Sequence, residues 1–126
     1  GGSEEFATER AALGDALEQV QSHVGALVGF SMASMQDPPE IYKAGLNTNG
    51  LLRSLSEVTI AWLLLQHAEV AMAALADTTG DEKAFYTGKV ASARFFAREA
   101  LPKIAMRTSA AQAEDGSLME IPIEAF

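Results

Sequence analysis

Cysteine is absent from the 126 residues. Disulfides, thiolate catalysis and cysteine-ligated zinc are therefore excluded. Histidine is scarce, with 2 residues, and proline is limited to 4. Basic side chains are also few. Nine Lys and Arg stand against 17 Asp and Glu, a net charge of −8, with a pI near 4.6. That balance argues against gripping a nucleic-acid backbone or an anionic membrane surface. No basic stretch leads into an apolar run at the start, so Gly1-Gly2-Ser3-Glu4-Glu5 does not read as a secretory leader. Gly1-Gly2-Ser3 reads as a cloning remnant. Nothing implies an oxidising compartment, and the cytoplasm is the expected location. Long apolar runs are missing too. The most apolar stretch, Ile60-Ala61-Trp62-Leu63-Leu64-Leu65, closes at Gln66. A membrane span needs about 20 apolar residues, so this stretch reads as a buried helix segment and no span is expected.

What remains is ordinary for a globular chain. Hydrophobic residues make up 48%, too many for disorder and consistent with one domain and a modest core. The apolar positions recur at helical spacing. Leu13, Leu17, Val20, Val24 and Leu27 form one stripe of a first helix spanning about 4–35, with Ser3 as its cap. Asp37-Pro38-Pro39 ends it. A short helical turn over 40–46 precedes a second long helix over about 51–76. Leu51, Leu55, Val58, Trp62, Leu65, Met72 and Ala76 line one side of it, and Leu52, Ile60, Leu63, Leu64, Ala71 and Leu75 widen the stripe. A helix apolar over most of its circumference is covered on more than one side, which places this one at the centre.

After a turn over 77–81, a third helix carries Phe85, Tyr86, Val90, Ala93, Phe96, Ala97 and Leu101. Pro102 kinks it or splits it in two. The fold class is all-α: an antiparallel up-and-down bundle of three long helices over 4–115, with an apolar docking tail over 116–126.

The search for chemistry finds little. Glycines do not cluster into a phosphate-binding loop. Neither His23 nor His67 follows a glutamate at the spacing that di-iron bundles use. His67 and Glu69 are two apart and do not share a helix face. No nucleophile elbow accompanies either histidine, so both read as structural or solvated. Glu57 and Glu69 sit within an apolar helix and read as ion-paired, with Arg94 and Arg98 as candidate partners. Trp62, Phe85, Tyr86, Phe95 and Phe96 read as core rather than as the lining of a ligand pocket. Lys89, Arg94 and Arg98 read as a solvated basic stripe rather than an anion site. No catalytic, cofactor-binding or metal residue is nominated.

Two stretches carry a family resemblance. Leu52-Arg53, running on to Trp62-Leu63-Leu64, is the first. Phe85-Tyr86, Lys89, Ala93-Arg94-Phe95, Phe96 and Leu101-Pro102 form the second. With Leu118-Met119 and the terminal Glu124-Ala125-Phe126, they resemble the extra C-terminal helical domain on a bacterial branch of the acyl-CoA dehydrogenases. Ser56 and Ile60 stand where that family favours glycine. The resemblance implies a larger parent in which FAD and the acyl-CoA thioester lie between other domains. There a glutamate removes the α-proton and flavin N5 takes the β-hydride. No residue here matches those roles, so no FAD is expected on this chain. The resemblance implies a domain that caps the core or supports subunit association in a homo-oligomer. The competing reading is a freestanding helical interaction module without catalysis.

Overall fold

The computed structural model describes residues 4–126. The readings of Gly1-Gly2-Ser3 as a remnant and of Ser3 as a cap lie outside the described residues. The fold is all-α. A 3-10 turn at Glu4–Phe6 leads into α1 (Ala7–Ala33), α2 (Glu40–Leu46), α3 (Thr48–Leu75), α4 (Gly80–Glu99) and α5 (Lys103–Gln112). Two 3-10 turns, Ser117–Glu120 and Ile123–Ala125, close the chain.

Local chemistry sets the breaks. Pro39 occupies the N-cap of α2 and Pro102 that of α5, at φ −59° and −61°. Proline lacks the amide proton that a helix start leaves unpaired, so it suits these positions. Only Asn47 separates α2 from α3, and its side-chain amide donates to the Lys43 carbonyl at 2.9 Å. Gly116 adopts φ +77°, a left-handed conformation that glycine enters without strain. There the Asp115 carboxylate accepts the Ser117 amide at 2.9 Å. That bond holds the Asp115 carboxyl below its ordinary value.

α3 packs most extensively on α4, and also on α1 and α5. One core cluster joins Ala16, Val20, Val58, Ala61, Ala97, Leu101 and Ile104. A second joins Phe6, Leu65, Ala68, Ala71, Val90 and Ala93. Alanines dominate where α3 meets α4, and small side chains let helix backbones approach closely.

This core corrects the sequence reading in its details. The buried stripe of α3 is Ser54, Val58, Ala61, Leu65, Ala68 and Ala71. Leu55 and Trp62, assigned inward, are exposed, and so are Leu52, Ile60 and Leu63. The run from Ile60 to Leu65 is buried only at Ala61 and Leu65. α3 is therefore covered on one side and open on the other. The first-helix stripe divides likewise, with Val20 buried and Leu17 and Val24 exposed. Because α2 and α3 nearly join, the stretch Glu40–Leu75 is long and apolar enough to cross a membrane by length and composition. The six-residue run considered in the sequence did not reveal this.

Candidate functional site

The polar side chains inside the bundle are committed to holding it together. Arg107 on α5 donates to both carboxylate oxygens of Glu57 on α3, at 2.7 and 3.0 Å, and to the Ser54 hydroxyl at 3.2 Å. Arg53 adds a 3.4 Å contact to Glu57. The bond from Arg107, more than any other cause, holds the Glu57 carboxyl below its ordinary value of 4.5, against the opposing effect of burial. A base needs a raised pKa and a substrate in reach, so this carboxylate is built for pairing. Glu69 pairs with Arg10 at 3.4 Å. Arg94 and Arg98, the partners expected for these glutamates, bind elsewhere. Arg94 reaches Glu5 at 3.1 Å and Glu9 at 3.5 Å, and Arg98 reaches its neighbour Glu99 at 3.1 Å.

His23 is 1% exposed. Its Nε2 lies 3.0 Å from the Asn47 carbonyl oxygen. A carbonyl only accepts, so Nε2 is the donor in this bond. Nδ1 has no hydrogen-bond partner among the described residues. The ring bridges α1 to the α2–α3 junction. Thr108 ties α5 to α1 by donating to the Gln19 carbonyl at 2.9 Å. His67 is exposed and borders a groove with Val70, Phe85 and Lys89. Among the described residues no group of three or more potential metal ligands comes together.

The motif residues lie mostly outside the core. Trp62 is 51% exposed, and Phe85 and Phe95 are exposed as well. Tyr86 and Phe96 are half-buried against the two clusters. The aromatic side chains read as core are thus largely a surface feature. Phe85 and Tyr86 meet edge to face at 5.5 Å. Lys89 lies over Phe85 at 5.3 Å, and Arg98 over Phe95 at 5.8 Å. Pro102 starts α5. The basic stripe is largely neutralised, since Arg94 and Arg98 both carry carboxylate partners.

The open face of α3 is rich in apolar side chains. At about 100° per residue, Leu52, Leu63 and Val70 fall opposite the buried Ala61 and Ala68 of α3. A second apolar groove runs beside α1, lined by Val24, Val28, Met32, Met35 and Leu51. A flavin dinucleotide needs a deep cleft with donors for its pyrophosphate. The grooves here are open troughs of about 260–600 Å³, and the arginines nearest them are already paired. None of these grooves, among the described residues, combines that depth with free donors.

The comparison with known families decides the lineage. The family described as acetyl-CoA dehydrogenase C-terminal like matches residues 2–122. The chain belongs to that family. The broad-specificity linear acyl-CoA dehydrogenase FadE5 of Mycobacterium tuberculosis is 44% identical over 126 residues. The match takes in 99% of this chain and 21% of FadE5, so the chain spans about a fifth of that relative's length.

Family membership does not make Trp62 a core anchor. Trp62→Ala is expected to cost less than about 1 kcal/mol in this chain, because half of the ring already meets solvent. Denaturant melts at constant slope check this. A cost near 3 kcal/mol would show an indole buried in the bundle.

Proposed function

We propose that this chain is the C-terminal helical domain of a FAD-dependent acyl-CoA dehydrogenase and that its task is structural. The observation that carries the reading is the end-to-end match of this family member to one fifth of FadE5. FAD and the acyl-CoA thioester are assigned to the other domains of the parent, which correspond to the four-fifths of FadE5 outside the match. By that relative's name, linear acyl-CoA thioesters are the substrate class. The parent is a homo-oligomer of the cytoplasm, and this domain braces its catalytic body or its subunit contacts.

The test is the full reading frame. It is expected to run from a flavoprotein body into Glu4. The purified full-length product is expected to be yellow and to dehydrogenate linear acyl-CoA in the presence of an electron acceptor. The 126-residue chain, made alone, is expected to bind no FAD by absorbance at equilibrium. A start codon at the head of this domain, or stoichiometric flavin on the short chain, would overturn the reading.

A further inference from the structure

We infer that the outward face of α3 is a permanent seat for an apolar surface in the catalytic body of the same polypeptide. This rests on the reading above and names the face that docks. Leu52, Leu55, Leu63 and Val70 recur along α3 on its open side, flanked by Ile60 and Trp62, and all six are exposed. From Leu52 to Val70 the stripe runs about 27 Å, at about 1.5 Å per residue. It carries no charge, and the polar residues Ser56, Thr59 and Gln66 interrupt it. The charged residues of α3, namely Arg53, Glu57 and Glu69, stand off the stripe, each in an ion pair. A long uncharged face on a chain of net charge −8 has the composition of the buried centre of a lasting interface.

Two observations choose the occupant. First, four-fifths of FadE5 lies outside the matched part, since the match covers 21% of it. Second, the chain enters through the α3–α4 layer. Phe6 is buried among Leu65, Ala68, Ala71, Val90 and Ala93, and the Glu5 carboxylate is held by Arg94. Whatever precedes residue 4 starts from the α3–α4 pair, on the side of α3 opposite the stripe, so it has to pass around the pair to cover that face. A second copy, also of net charge −8, is the competing occupant, and the experiment below separates the two. The same charge disfavours an anionic bilayer.

The experiment places Val70→Glu in the full-length polypeptide and, separately, in the 126-residue chain. Val70 is 69% exposed, so the short chain is expected to keep its melting temperature. In the full-length protein a carboxylate forced into an apolar contact is expected to speed tryptic release of this domain by about tenfold or more. Leu52→Glu, at the other end of the stripe, is expected to act in the same direction, and like Val70→Glu it adds no tryptic site. Unchanged digestion in both variants overturns the inference and leaves the parent's identity standing. Two results with the short chain also overturn it. One is sedimentation as a dimer that either variant splits. The other is flotation with phosphatidylcholine vesicles. A reading frame without a flavoprotein body overturns it as well, and is told apart because it is read from the gene and not from digestion.

Discussion

Replacing Phe6 by alanine is expected to cost about 3–5 kcal/mol, which makes it one of the most damaging single truncations in the chain. The ring is 0% exposed and is the largest fully buried side chain among the described residues. It sits in the 3-10 turn before α1 and fills the space framed by Leu65, Ala68 and Ala71 of α3 and Val90 and Ala93 of α4. Three of those five neighbours are alanines, too short to collapse into the vacated volume. That is the situation in which a cavity adds its own cost to the lost transfer energy. The Arg94 guanidinium stacks 5.2 Å above the ring centroid and would lose that support. Domains have about 5–15 kcal/mol in total, so the variant should be marginal at room temperature. Urea melts of wild type, Phe6→Leu and Phe6→Ala check this, with the leucine variant expected between the other two. A Phe6→Ala loss below about 1 kcal/mol would show that the turn does not dock.

Phe6 also shows where a sequence reading stops. The helix class and the breaks at Pro38-Pro39 and near residues 77–80 were legible, because proline, glycine and apolar period act locally. The phase of α3 was legible only in part: Val58 and Leu65, read inward, are buried, but Leu55 and Trp62 are not. Large residues dominate any hydropathy count, so Leu55 and Trp62 were turned inward. The structure instead buries Ala61, Ala68 and Ala71 with the alanines of α4, and Ser54 under Arg107 of α5. Alanine carries little hydropathy and marks an interface through close approach, which depends on a partner helix that the local sequence does not specify. Phe6 was missed for a related reason. A single aromatic after two glutamates has no period, and only the tertiary fold brings it between α3 and α4.

The candidate surface was partly legible. α3 was read as apolar around most of its circumference and therefore covered on more than one side. The first half of that reading is what the structure displays. Among the described residues the open side of α3 is left exposed. The pairing of Glu57 was legible in kind only. Arg94 and Arg98 were the nearest arginines on a neighbouring helix in the sequence, and the break at Pro102 carries α5 to the glutamate instead.

Arg107→Met is expected to cost about 2–3 kcal/mol at pH 7, less than breaking a fully buried pair because both side chains keep some solvent. Arg107 and Glu57 retain 18% and 13% of their side-chain exposure. Removing the guanidinium strips two short hydrogen bonds from the Glu57 carboxylate and one from the Ser54 hydroxyl, which is 0% exposed. Arg53 remains, at 3.4 Å and largely in solvent, and replaces little of this. The double variant with Glu57→Gln is expected to lose less than the two single variants summed, because both remove the same interaction. The pH dependence has a definite sign. Arg107 depresses the Glu57 carboxyl below its ordinary 4.5, so the pair's contribution is complete above about 4.5. It then fades as pH falls through the lower folded-state value. Wild type should therefore lose stability on acidification more steeply than Glu57→Gln, and the two curves should converge at low pH. Urea melts from pH 7 to pH 3 give the difference directly. Parallel curves for wild type and Glu57→Gln would mean that the carboxylate gains nothing from Arg107 on folding, and the node would then be a matter of shape alone.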